Sequence, residues 1–299
     1  MNNYLSIFWQ ETQGYFNWFV GQITFSTSDG LWGNYFYFLL IISAVFFGLE
    51  LIKPWRSDQP RFRKDFWLDA FYMFFNFFLF SLVAFAGLSQ VGVELLSELL
   101  EWFGITNLVA IEVGNLPGWL QLVILFVVKD FVEWLVHRLL HWSPRLWEFH
   151  KVHHSVKQMG FAAHLRYHWM ENIIYKSLEY IPLALIGFSL TDFFMVHMIA
   201  IAIGHWNHAN FNVDLGPFKY IFNNPAMHIW HHAKHLPEDR RYGVNFGISL
   251  SIWDYIFGTN YIPMDGRDIE IGFPDDERFP DNFIDQNLNG FKPSSQHTN

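Results

Sequence analysis

His137-Arg138-Leu139-Leu140-His141-Trp142-Ser143-Pro144-Arg145-Leu146-Trp147-Glu148-Phe149-His150-Lys151-Val152-His153-His154 sets two histidine boxes side by side, one H-x3-H and one H-x2-H-H. A third box, His228-Ile229-Trp230-His231-His232, repeats the second pattern further along. Residues three and four apart share one face of a helix. The first box therefore aims two imidazoles one way, and each of the others aims three. Neutral imidazole is the commonest metal-binding side chain. Eight converging ligands exceed the four of a tetrahedral zinc site, which suggests two metals held close together. A lone histidine is ordinarily a surface or satisfied core residue. Coincidence and pH sensing are the alternatives, and three boxes at ligand spacing weigh against both.

Outward from the boxes the chain is apolar. Hydrophobic residues make up 52% of it, aromatic ones 20% and charged ones 16%; a soluble domain is nearer a quarter charged. This is a membrane-protein composition, and polar clusters beside membrane spans tend to be functional because they are costly. Cysteine is absent, which excludes disulfides, thiolate-ligated haem and cysteine-held iron–sulfur clusters. The net charge of -9 comes partly from Asp275, Asp276, Glu277, Asp281 and Asp285, and nothing points to nucleic-acid binding. No cleavable signal peptide is expected, since the first twenty residues lack a basic n-region and a small-residue cleavage site.

Four apolar stretches organise the chain. Residues 35–52 approach the ~20 needed to cross a bilayer, and Lys53, Pro54, Arg56, Pro60, Arg61, Arg63 and Lys64 follow at once. A second span is expected over about 66–88, with Asp69 near its start. A third hydrophobic helix runs from about Trp119 into the first box. The fourth stretch, about 181–204, is divided by Pro182, Gly187 and Thr191. Residues 1–34 read either as a loose terminus or as an interfacial helix around Leu5 to Val20. Residues 264–299 read as a polar tail that wraps the surface or is partly disordered. One membrane-embedded domain over 1–299 is expected, an all-α integral-membrane helical bundle with a cytoplasmic histidine-rich helical cap.

Residues 1–52 and 89–117 hold no Lys or Arg, whereas the 53–64 loop and the segments carrying the boxes are rich in them. The positive-inside rule places that loop and all three boxes on the cytoplasmic side. The 181–204 stretch must then leave and re-enter one face as a hairpin. Asp130 and Glu133 precede His137 by one or two turns. They are candidate partners that orient imidazole N–H groups, with pairing to Lys129 as the plainer alternative. His235, three residues after His232, is a candidate for an outer role.

The order H-x3-H, H-x2-H-H, H-x2-H-H resembles the fatty acid hydroxylase/sterol desaturase superfamily of integral-membrane di-iron enzymes. Flanking pieces resemble it too: Trp147 to Ser155 around the second box, Leu165-Arg166-Tyr167-His168-Trp169-Met170-Glu171, His208-Ala209-Asn210, and Tyr242-Gly243 with Leu250 to Asp254 and Phe257-Gly258-Thr259. The resemblance covers about residues 115–285. It implies iron ligands at His137, His141, His150, His153, His154, His228, His231 and His232. It adds candidates between boxes two and three: His208 first, then His205, with His168 as a ligand or its neighbour. His164 is discounted, and His197 and His297 are not expected to take part.

Imidazole suits zinc, copper, iron and nickel alike, so spacing does not choose the metal. The resemblance implies two iron ions, dioxygen as co-substrate, and hydroxylation or desaturation of a membrane lipid by a monooxygenase-type oxidoreductase. With no nucleotide loop and no haem domain in the sequence, a separate electron-transfer protein is expected as partner. A zinc-dependent membrane hydrolase and a metal-binding or transport protein are the rival readings. The surplus of histidines and the lack of an HExxH motif count against the hydrolase. The placing of the boxes outside the spans counts against transport.

Overall fold

A computed structural model describes residues 2–26, 33–105, 109, 111–186, 188 and 190–292. The described residues hold eleven α-helices and no β-strand, only two isolated bridges, Phe222 with Leu250 and Ala233 with Ile271. The helices are α1 (Asn2–Thr24), α2 (Tyr35–Ile52), α3 (Phe66–Phe74), α4 (Ala86–Trp102), α5 (Gly118–Trp142), α6 (Pro144–His154), α7 (Trp169–Ile186), α8 (Leu190–His208), α9 (Pro225–His231), α10 (Ile252–Ile256) and α11 (Phe283–Asn289).

Local chemistry marks the starts. The Asn34 side chain accepts from Tyr37 N at 3.0 Å and opens α2, and the Lys53-Pro54 pair ends it, since a residue before proline avoids helical angles. Ser143 and Asn224 cap α6 and α9, and Pro144 and Pro225 follow them at the first helical position, where a missing N–H costs nothing. Between α3 and α4 the chain stays helical through two π turns, Phe75–Leu79 and Ser81–Phe85. The helix thus runs on past the expected end near residue 88. In the first π turn Asn76 donates to Leu165 O (3.0 Å) and Tyr167 O (2.8 Å), tying this helix to the segment between boxes two and three.

The N-terminal segment is a helix, longer than expected. α1 lies on α4 and approaches it at Gly87, where a Cβ would meet Phe8 and Thr12 within 2.7 Å. Aromatic rings fill the layer beneath: Phe19, Tyr35, Phe78 and Leu39 are buried with Phe36, Phe74 and Phe77 around them. Among the described helices α2 alone is long and apolar enough to cross a membrane by itself; Phe66–Leu79 is apolar but shorter. Apolar side chains nonetheless face outward along several helices: Leu40, Ile41 and Val45 on α2, Val93, Leu95, Leu96 and Leu99 on α4, Trp119 and Val123 on α5.

The fourth apolar stretch is two helices. α7 runs from Trp169 to Ile186 and α8 from Leu190 to His208. Both pack on α5. The start of α7, the end of α8 and the C-terminal turns of α5 meet at one end of the molecule, so the α7–α8 pair leaves that end and returns to it. The tail wraps this same end. Gln286 and Asn287 of α11 are buried against the Tyr72 hydroxyl (2.9 and 3.0 Å), and Asp276 pairs with Lys157 and, at 3.1 Å, with Lys234. His297 lies outside the described residues.

Candidate metal centre

The three boxes and His208 converge on two adjoining groups. His137, His141, His150, His154 and His231 form the first, with one ring nitrogen of each within 4.8 Å of all the others. His153, His208, His228 and His232 form the second to the same limit. Helix periodicity pairs the ligands, and the crossing of the helices divides them. Residues four apart stay together, as in 137/141, 150/154 and 228/232. The odd member of each three-histidine box, His153 or His231, turns to the other group. The groups touch: the His154 and His232 rings stack at 4.4 Å, and those of His228 and His231 at 5.1 Å. Within them, Nε2 atoms sit 3.1 Å apart for His154 and His231, 3.2 Å for His153 and His208, and 3.0 Å for His208 and His228.

The outer nitrogens are held. His137 Nδ1 lies 2.8 Å from Phe246 O, His231 Nδ1 2.8 Å from Val244 O, His153 Nδ1 3.0 Å from Arg166 O, and His208 Nδ1 2.8 Å from Gly204 O. His150 Nδ1 meets Glu171 Oε2 at 2.9 Å. A donor N–H at Nδ1 fixes the tautomer that presents the Nε2 lone pair inward. Nε2 of His137, His141 and His150 is buried with no protein partner, an expensive arrangement unless a further group fills the space. Burial pushes the His150 imidazole down to about 3 and His153 to about 4, and holds His154, His228, His231 and His232 well below the ordinary histidine value. Neutral rings with orphaned, converging Nε2 atoms fit two cations of the imidazole-binding class.

One loop aims two of these imidazoles. Asn245 has φ of 53°, a left-handed angle that asparagine tolerates better than most residues. Its side chain donates to Met227 O (2.9 Å) and Tyr261 O (2.8 Å) and accepts from Tyr261 N (2.7 Å). The carbonyls on either side then point at His231 and His137. Asp254 anchors the next turn, accepting from Phe246 N (2.9 Å), Gly247 N (2.8 Å) and Trp134 Nε1 (3.0 Å).

The weaker candidates fall elsewhere. His205 stands outside both groups, between Ser43 Oγ (3.3 Å) and His164 Nδ1 (3.0 Å). His168 meets Asn287 O at 2.7 Å and accepts from Met170 N at 3.1 Å, so it holds the tail and the start of α7. His235 is exposed and faces Glu270 at 3.7 Å. Asp130 orients no imidazole; it accepts from Ser249 N (2.8 Å) and Trp253 Nε1 (2.9 Å). Glu133 pairs with Lys129, the plainer alternative. Asp69 lies in the interior, paired with Arg63 and, at 2.9 Å, with Arg166. The orienting carboxylate is Glu171, which the Arg166–Glu171 stretch contained but which histidine counting passed over.

A cavity of about 140 Å³ opens beside both groups. His137, His150, His153, His208 and His228 form one wall, and side chains of α5, α7 and α8 with Leu165, Tyr167 and Ile248 form the rest. Discounted His164 and His197 also line it.

Residues 122–259 match the fatty acid hydroxylase family model. This stretch is a fatty acid hydroxylase domain. The domain contains both histidine groups, Glu171, Asn245 and Asp254. The chain is 35% identical to an ornithine lipid hydroxylase, OlsE, of Rhizobium tropici, over 52% of its own length and 46% of the relative's. It is 33% identical to human alkylglycerol monooxygenase over 45% of its length and 29% of that protein. It is 28% identical to the very-long-chain aldehyde decarbonylase GL1-10 of Oryza sativa subsp. japonica, over 47% and 46%. The chain thus covers less than half of each relative. No solved structure matches it.

Proposed function

We propose that this protein is a membrane-bound di-iron oxidoreductase that uses dioxygen and externally supplied electrons to hydroxylate or desaturate a lipid. The observation that carries the reading is the pair of adjoining groups, five and four histidines, inside a fatty acid hydroxylase domain. Two irons held there would supply the reductive activation of dioxygen needed to attack an unactivated C–H bond.

The chain's own residues supply binding and order. Glu171 and the carbonyls of Val244, Phe246, Arg166 and Gly204 fix imidazole orientation. The cavity brings a substrate carbon beside both groups and keeps bulk water from it. The lipid class is supported by the relatives' names and by the outward apolar faces of α2, α4 and α5, which suit a bilayer better than water. The α7–α8 return keeps His153, His208 and His232 at one end, which agrees with histidine boxes on the cytoplasmic side and an electron-transfer protein docking there.

Purified iron-loaded protein without a reductase should turn over at most stoichiometrically. With an electron-transfer chain and lipid it should consume oxygen steadily. Label from dioxygen in the product means hydroxylation, and label only in water means desaturation. Catalytic lipid hydrolysis without oxygen or reductant contradicts the reading.

A further inference from the structure

The segment that leads into α9 turns apolar side chains outward. Gly216–Tyr220 is a turn of 3-10 helix. Phe218 in it is 59% exposed, with Tyr220, Ile221 and Phe222 exposed beside it. The turn lies on α10: the Tyr220 and Tyr255 rings are 5.1 Å apart, and Ser251 Oγ donates to Lys219 O at 2.8 Å. Ile256, 61% exposed, and Phe257 extend the same patch.

Two features fix what covers it. The first is continuity. Trp119, Val123, Val127 and Leu135 face outward along one stripe of α5, and half-buried Phe131 falls on that stripe between Val127 and Leu135. α10 sits there: Trp253 lies 4.8 Å from Phe131, and Phe257 4.7 Å from Trp134. The patch therefore adjoins the α5 face that suits a bilayer. The second is the placing of polar groups. The N–H groups of Phe218, Ile221, Phe222 and Asn223 are bonded within the chain, to the carbonyls of Leu215, Phe218 and Ser249, as a segment that meets lipid requires. The exposed charges at the patch are basic: Lys219 lies 5.4 Å from the Tyr220 ring, and Arg138 lies 5.4 Å over Trp134. Asp254 of α10 is buried and accepts from Trp134 Nε1 (3.0 Å) and Thr259 Oγ1 (2.6 Å); Asp214, at the edge, accepts from Gly216 N (2.8 Å). Aromatic rings with lysine and arginine beside them match a lipid boundary, where apolar bodies are buried and polar tips reach the headgroups.

We propose that residues 216–222 and α10 form a membrane-docking surface that rests in the acyl–headgroup boundary of one leaflet. Its partner is a bilayer containing anionic lipid, whose headgroups Lys219 and Arg138 meet. The consequence is positional. Asn223 and Asn224 join the patch directly to α9, and Asn224 caps that helix. Lipid contact then sets the depth of His228, His231 and His232. The inference goes beyond the proposed function, because it assigns a contact that does not span the bilayer and does not depend on the reaction.

The chain has no cysteine, so single nitroxide labels carry no background. Phe218→Cys and Ile256→Cys probe the patch, Val45→Cys the outward face of α2, and His235→Cys an exposed polar site. Accessibility to oxygen and to a nickel chelate is read on the full chain in nanodiscs of phosphatidylcholine with phosphatidylglycerol. The labels at 218 and 256 should favour oxygen and report immersion of about 5–10 Å. The label at 235 should favour nickel. Lys219→Glu should shift the 256 label toward nickel in these discs and leave it unmoved in phosphatidylcholine alone; no shift in either lipid overturns the anionic partner. The two patch labels sit on separate segments, so if one variant misfolds the other decides. Nickel access at 218 and 256 with oxygen access at 45 overturns the docking surface and leaves the membrane reading standing. Nickel access at 45 as well overturns both. Spin–spin broadening at both patch positions that unlabelled protein dilutes away means that a second copy covers the patch, and overturns the lipid assignment.

Discussion

The two histidine groups differ in how their imidazoles are held. In the five-membered group, His137, His150 and His231 each have Nδ1 on a protein acceptor, one of them the Glu171 carboxylate. In the four-membered group only His153 and His208 are held so, by carbonyls, while Nδ1 of His228 and His232 is buried without a partner. A carboxylate partner raises ligand basicity more than a carbonyl does. The first group, with five ligands and a carboxylate partner, should therefore bind its metal more tightly. The second has one ligand fewer and no carboxylate among its partners.

Ligand loss should have the largest effect and should separate the groups. His154→Ala and His228→Ala each remove one ligand, from the first and the second group. Activity should fall to background in both. Metal content should drop further in the His228 variant, because its group has only three histidines left. Equal metal loss in the two would remove the asymmetry.

Weakening an orienting partner should have a smaller, one-sided effect. Glu171→Gln should lower metal affinity or activity by about 10–100-fold, with the first metal affected and the second spared, as a chelator titration would resolve. Asp254→Asn should loosen the loop that orients His137 and His231. The buried N–H groups of Phe246 and Gly247 then lose a charged acceptor, for about 1–3 kcal/mol of stability; thermal unfolding of the metal-free protein checks it.

Acid should act on both groups together. These imidazoles are neutral when folded, with His150 near 3 and His153 near 4, against about 6.5 when unfolded. Their folded values lie below the unfolded one, so the unfolded chain takes up protons first as pH falls. Stability is complete above about pH 6.5 and declines below it. The melting temperature of the metal-free protein should fall steadily from pH 7 to pH 5. A flat profile contradicts the buried neutral rings.

Histidines outside the groups should matter least. His205→Ala and His235→Ala should keep full metal content. His168→Ala should also keep its metal while lowering the melting temperature, because its contact with Asn287 O holds the tail. Metal loss in the His205 variant would enlarge the second group.

These predictions also mark what the sequence could tell. The box histidines were legible because helical spacing alone puts residues three and four apart on one face. Their division into two groups was not, because it depends on how α5, α6 and α9 cross. His208 was named only through family resemblance; at the end of an apolar helix it has no local pattern to announce it. Glu171 was hidden by its neighbour His168, since counting histidines favours the wrong member of that stretch. The carbonyls of Val244 and Phe246 carry no side-chain signature at all; Asn245 in the left-handed region was the one available signal. The basic 53–64 loop was read for topology alone, yet Arg63 is 5% exposed and bound to Asp69. The tail looked featureless because its polar residues, Gln286 and Asn287, are buried as hydrogen-bonding partners and not as an apolar face.

Metal analysis of anaerobically purified protein tests the two-metal centre most directly. Two irons per chain are expected in the wild type, and about one in His208→Ala, with the remaining iron in the five-histidine group. One metal per chain, zinc in place of iron, or two irons retained in the His208 variant would contradict the account.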